Sequence, residues 1–285
     1  MRLSLRQVLR ITTGLIVLAA IGAAAVYAQQ IWRGGYGYTP PPRFPTANSF
    51  AGSFNFCRAM FSSNRREKRG WDTDYPGADL NFSTRLSELT KADVRMEHGT
   101  GGEDDSPDAV VVRLTDDALF QCPYIVMEDA GTAYFTPPEI SRFRAYLLKG
   151  GFAFVSDYHG QLAKEQFDEE IGRVLPPGQY PIVELPISHA IFRTLFEVKK
   201  VPQMASIQSW RRSRGDNIER WNFERAPATA RGIADEKGRL MVVMYHNTDL
   251  PDGWEREAED PDYFFHYSPD AYAVGINTVL YAMSH

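Results

Sequence analysis

The chain has 285 residues, too long for a peptide or a disulfide-stapled mini-domain. Hydrophobic residues make up 44% and charged residues 24%, the balance of a folded globular protein, which excludes wholesale disorder. With 31 basic against 36 acidic residues the net charge is −5, which argues against a nucleic-acid partner; two cysteines are too few for a disulfide framework or a cysteine-rich zinc module.

Arg2, Arg6 and Arg10 precede an uncharged stretch over residues 11–28 that contains LIVLAAIGAAAVYA. A basic start followed by an apolar run reads as a secretory signal, cleaved before Gln29, or as a retained membrane anchor. As a helix, residues 11–28 rise about 27 Å, slightly short of the hydrocarbon core. Both readings export the rest of the chain to the periplasm or to the periplasmic face of the inner membrane, and the anchor reading keeps it membrane-attached. Removing residues 1–28 takes away three arginines and no acid, leaving a body of net −8. Residues 29–52, with GGYGYTPPPRFP at their centre, read as a Gly/Pro-rich linker.

From there strands and helices alternate. Residues 53–61 (SFNFCRAMF) are a first strand, and Asp74 sits in a loop with Pro76. Leu80, Phe82, Leu86 and Leu89 recur at helical spacing over 79–90. The acidic, glycine-rich stretch GTGGEDDSPD is a surface loop before a β-branched strand at 109–114. Tyr124 to Met127 is a short buried-type strand ending on Glu128 and Asp129. Thr136 with Glu139 forms a capping box that opens a helix to Leu148. A strand at 152–155 ends on Ser156, Asp157, Tyr158 and His159, and a helix follows over 161–174. A later strand spans 238–245 after a turn at 235–238, and a last helix spans 271–283. Strand–helix–strand order with short loops gives an α/β fold: a mainly parallel sheet with helices on both faces.

In such sheets ligands bind beyond the carboxyl ends of the strands. Three expected strand ends carry polar clusters: Glu128–Asp129, Ser156 to His159, and His246 to Asp249. The candidate ligand-binding residues are therefore Asp74, Asp129, Asp157, His159, His189, Asn247, Asp249 and Trp254, with Asp157 and His159 as candidate catalytic groups. Each has a structural alternative. Asp and Asn after a strand cap helices or fix turns, His189 can cap a helix at 190–196, and Trp254 either walls the cleft or packs in the core. No metal motif such as H-E-x-x-H occurs, so neither a metal nor a cofactor is expected.

The runs FCRAMFSSNRREKRGWDTDYPGADLNFSTRLSELT, PYIVMEDAG, KGGFAFVSDYHG, LPISHAIFRTLF and HNTDLPDGWE resemble the bacterial domain-of-unknown-function 4159 family, over about residues 54–282. The more specific pieces are Asp74-Tyr75-Pro76 and the GGF strand leading to Asp157. The resemblance implies a glutamine-amidotransferase-like domain over 53–285, of flavodoxin-like three-layer architecture. Working amidotransferases carry a cysteine on a strand-to-helix elbow. The corresponding turn here, Val155 to Gly160, has none: Cys57 lies in the first strand and Cys122 just before another. The two cysteines could pair if their strands are neighbours, but two buried thiols are the preferred reading. Two functions follow. The favoured one is a non-catalytic domain that binds a small molecule or an envelope protein; the other is an Asp/His-dependent hydrolase acting on a saccharide or amide in the cell envelope.

Overall fold

In the computed structural model, the described residues are 40–63, 70–97 and 105–285. The expected signal or anchor segment and most of the acidic loop before residue 106 lie outside them. The chain divides into a unit ending at Pro41 and a unit Pro42–His285, and the fold below is that of the second.

Nine strands are described: β1 (Phe56–Met60), β2 (Met96–Glu97), β3 (Ser106–Pro107), β4 (Ala109–Arg113), β5 (Tyr124–Met127), β6 (Phe152–Val155), β7 (Val183–Glu184), β8 (Thr229–Ala234) and β9 (Leu240–His246). Seven of them form one sheet in the order β4-β1-β5-β6-β9-β8-β7, and β2 pairs with β3 separately. From β4 to β9 all pairings are parallel. β8 and β7 add an antiparallel edge. The protein is α/β with a mostly parallel sheet, as the alternation predicts.

Six helices are described: α1 (Gly77–Leu89), α2 (Pro137–Leu148), α3 (Gly160–Val174), α4 (Ile207–Ser213), α5 (Leu250–Glu255) and α6 (Pro261–Ser284). The period-2 alternation of strand side chains sorts the core into two layers. Phe56, Tyr124, Val126, Phe152, Phe154 and Tyr245 face Phe82 and Leu86 of α1 and Val274 and Ile276 of α6. Cys57, Ala59, Ile125, Met127, Ala153 and Val155 face Phe143 and Leu147 of α2 and Phe167 and Ile171 of α3. Both faces of the sheet are covered, which is why its central strands read as continuous apolar runs.

Several local expectations change. The last helix begins at Pro261 rather than at 271. Asp260 caps it, accepting hydrogen bonds from the Asp262 and Tyr263 amides, and a proline is tolerated in the first turn. The helix expected at 190–196 shrinks to one 3-10 turn, Ala190–Phe192. The stretch expected to be a linker is joined to the domain at its end. The Arg43 carbonyl accepts from the Val111 amide of β4, and Phe44 lies under the Arg113 guanidinium. No described helix is long and apolar enough to cross a membrane.

The preference for free thiols is overturned. Cys57 and Cys122 form a disulfide with Cα atoms 6.1 Å apart. β1 and β5 are neighbours, so Cys122, two residues before β5, comes level with the start of β1 on the face covered by α2 and α3. Both half-cystines are essentially inaccessible to solvent.

Candidate functional site

β1, β5, β6 and β9 run parallel, so their carboxyl ends share one edge of the sheet. The chain leaves β1 for β4 on one side, while β5 flanks β1 on the other; this reversal opens a crevice beyond the strand ends. Six described non-glycine residues have left-handed backbone, and four of them, Asp74, Asp129, Asp157 and Asn247, stand in the loops at this edge. Asp and Asn tolerate that conformation best, and such conformations gather where a site dictates side-chain direction.

The floor is a buried arginine. Arg58 in β1 is fully enclosed, and all five of its N–H donors are used. Nε donates to the Asp79 carboxylate at 3.0 Å, and Nη1 donates to the Trp71 and Thr73 carbonyls at 3.1 and 2.7 Å. Nη2 donates to Asp79 and, at 2.8 Å, to Glu128 Oε1. Arg58 thereby fixes the loop that carries Asp74 onto the end of β5. Burial raises the pKa of the Glu128 carboxyl well above the usual range in spite of Arg58, and its Oε2 has no hydrogen-bond partner.

Above this floor the acids meet in two groups. Ligating atoms of Asp157, His159 and Asp249 lie within 4.8 Å of one another, and so do those of Asp74, Asp252 and Glu255. His159 Nε2 is 3.4 Å from Asp157 Oδ1. Asp249 links the two groups: it caps α5, and its Oδ1 accepts from the Asp252 amide at 3.1 Å. Burial, then the neighbouring Asp157 and Asp252, pushes the Asp249 carboxyl well above its ordinary range. Asp74 is shifted the same way by burial and then by Glu255, Asp249 and Glu128. Asp252 rises to about 7 because burial outweighs Arg256, and burial also raises Glu255. The Asp74 and Glu255 carboxyls are close neighbours, and Glu255 adds to the upward shift of Asp74.

One wall of the cleft comes from the segment after α4. A Cβ on Gly160, whose φ is +78°, would stand 2.5 Å from the Trp221 carbonyl oxygen, so glycine is what lets this segment approach the start of α3. Glu219, in the same segment, accepts from the Ser206 amide and the Ser206 hydroxyl.

Of the residues singled out in the sequence, Asp74, Asp157, His159 and Asp249 converge here. Asp129 belongs to neither group; its carbonyl accepts from the Thr132 amide and hydroxyl in the turn after β5, and the neighbouring Glu128 feels the Asp157 charge. Asn247 is a brace: its Oδ1 accepts from the Gly160 amide at 2.8 Å, and its Nδ2 donates to the Pro227 carbonyl. Trp254 is a core residue rather than a cleft wall, packed on Phe82 and Phe154. His189 is far from this edge. Its Nδ1 accepts from the Ile191 amide, and its ring packs on Tyr281, which in turn contacts Phe152 at the amino-terminal start of β6. Sequence reasoning missed Arg58 and Asp252; Glu128 was read only as part of a polar strand end, and Glu255 only as a neighbour of Trp254 that could wall the cleft. The one available signal was an arginine inside the apolar run of β1.

The family model of a domain of unknown function, DUF4159, matches residues 61–283. The chain belongs to the DUF4159 family. No curated protein matches it. In this DUF4159 domain the matched region begins just after β1 and takes in every acid described above, while the floor residue Arg58 precedes it.

Proposed function

We propose that this DUF4159 chain is an exported, non-catalytic binding domain whose ligand enters the cleft at the carboxyl edge of the sheet. The observation that carries the reading is chemical. The chain's two cysteines are joined in a buried disulfide, and the cleft offers carboxylates and an imidazole. An amidotransferase thiolate has no residue to come from. Ser156 is no substitute, because it is fully buried with its hydroxyl directed at the Thr248 carbonyl. The parallel strands follow the order 2-1-3-4-5 when numbered among themselves, which supports a flavodoxin-like, amidotransferase-like scaffold. The basic–apolar start and the disulfide both suit an oxidising compartment outside the cytoplasm. A small molecule or an envelope protein is the partner; a nucleic acid would meet an acidic edge.

The test uses the full-length protein. Thermal shift against amino acids, peptides and saccharides should find a stabilising ligand whose effect is lost in Asp74→Asn, and glutamine should release no ammonia. Glutamine turnover, or stabilisation that is equal in Asp74→Asn, would overturn the reading. Fractionation should place the protein outside the cytoplasm.

A hydrolase acting on a saccharide or amide is the second reading, favoured by one feature. Two adjacent buried carboxyls with raised pKa values, Asp74 and Glu255, have the form of an acid–base couple. Turnover of a glycoside or amide that disappears in Asp74→Asn would select it.

A further inference from the structure

The two acidic groups differ in how their charge is met. Asp252 is fully engaged: Oδ2 accepts from the Ile207 amide and the Tyr263 hydroxyl, and Arg256 Nε lies 3.5 Å from Oδ1. Arg256 also pairs with Glu255 at 2.6 Å, and Glu255 lies beside Asp74. That group has a cation of its own, although Asp74 Oδ2 has no hydrogen-bond partner. The Asp157–His159–Asp249 group is different. Among the described residues no lysine or arginine forms an ion pair with either aspartate. The His159 side chain is only 4% exposed, yet neither of its ring nitrogens has a hydrogen-bond partner. A buried imidazole without a partner costs stability unless something else occupies it. Its environment offers two carboxylates within 4.8 Å and, on the Asp157 side, an opening to solvent.

We propose that Asp157, His159 and Asp249 together bind one divalent metal ion. Two ligands held at about 2.1 Å by a tetrahedral ion stand roughly 3.4 Å apart, and His159 Nε2 is 3.4 Å from Asp157 Oδ1. Asp249 offers a carboxylate oxygen within 4.8 Å of both. One imidazole with two carboxylates is a mixed nitrogen–oxygen set, which suits Zn²⁺ or Mn²⁺ better than the all-oxygen cage that Ca²⁺ takes. Asp157 and Asn247 hold their left-handed backbones at the mouths of β6 and β9, and the Asn247 brace ties these two loops together, so three ligands from two loops keep a fixed spacing. Three protein ligands leave a coordination position for a ligand oxygen. The metal would therefore give an acidic cleft its means of holding an anionic or hydroxyl-bearing molecule. This inference rests on the reading of the edge as a binding site, but it can fail separately.

The experiment is isothermal titration of chelator-treated, full-length protein with MnCl₂ and with ZnCl₂. Wild type should bind one equivalent of at least one ion. Binding should weaken at least tenfold in Asp157→Asn and in His159→Ala and stay unchanged in His189→Ala, whose imidazole is at the opposite edge. Asp157→Asn keeps the size and backbone preference of the residue, so it answers the question even if His159→Ala does not fold. Absence of stoichiometric binding in wild type, or binding within twofold of wild type in Asp157→Asn, would overturn the proposal. If an organic ligand still stabilises the protein with no ion bound, the metal is wrong and the binding cleft stands; if neither binds, both fall.

Discussion

Arg58 of β1 donates to Glu128 at the end of β5 across 2.8 Å, with both side chains fully excluded from solvent. The same guanidinium holds Asp79, so one buried cation faces two buried acids. Removing it leaves both acids uncompensated. Arg58→Met should cost about 3–5 kcal/mol at neutral pH, measured by urea unfolding. The remaining carboxyls would have raised folded pKa values, which stabilise below their unfolded pKa and lose that contribution as pH rises through the folded one. The deficit should therefore be smaller at pH 5 than at pH 8. A deficit that does not change with pH would mean that charge is not what Arg58 supplies.

The disulfide closes a loop of 65 residues. Cross-linking a loop of that length is worth roughly 4 kcal/mol through the entropy of the unfolded chain. The Cys57→Ala/Cys122→Ala double variant should lose stability on that scale, and intact-mass analysis of alkylated native protein should detect no free thiol. A loss under about 1 kcal/mol, or a labelled thiol, would speak against the pairing.

Asn247 joins two roles, a left-handed backbone with φ of 60° and a side-chain bond to the Gly160 amide. Asn247→Ala forfeits both. The unpaired amide costs about 1–3 kcal/mol and the backbone about 1 kcal/mol more. Asn247→Gly should lose less, since glycine relieves the backbone part. Thermal melts of the two variants compare them directly; equal losses would remove the backbone argument.

The central strands were legible in the sequence because they are buried on both faces. AVVV, YIVM and FAFV need no partner to be recognised as strands, and the Thr136–Glu139 box marks its helix by local chemistry alone. β8 was not legible. Its Arg231 interrupts the apolar pattern and is neutralised by Asp168 of α3, 2.7 Å away in space but 63 residues away in sequence. At the site, Asp157 and His159 could be read from their place after a strand. Asp252 could not, because α5 is six residues long and too short to show a period. The left-handed backbone at Asp129 was not legible either, because sequence does not display a backbone angle.

His246 gives a pH signature of its own. Burial lowers its pKa from 6.5 to about 4, and its Nε2 lies 3.0 Å from the Gly160 carbonyl oxygen. Between those two pH values the unfolded chain takes up a proton that the folded chain refuses, so this residue's contribution to stability falls as pH drops from 6.5 to 4. The full effect is roughly 3 kcal/mol. The gap between wild type and His246→Gln should therefore shift in favour of the variant as pH falls through this window, read from unfolding curves at pH 7.5 and 4.5. A constant gap would mean that His246 titrates normally in the fold.

The central claim is that the acids at the carboxyl edge form a site rather than support the scaffold, and Asp157 tests it most directly. Its carboxylate accepts no hydrogen bond from any described residue, approaches His159 at 3.4 Å, and adds to the charge that raises Asp249 and Glu128. The decisive measurement is the melting temperature of Asp157→Asn against wild type, both stripped of metal at pH 8. Removing a like charge without breaking a bond should leave the melting temperature unchanged or raise it. A fall of more than about 4 °C, corresponding to about 1 kcal/mol or more for a domain of this size, would show that Asp157 holds the fold together and would contradict the account.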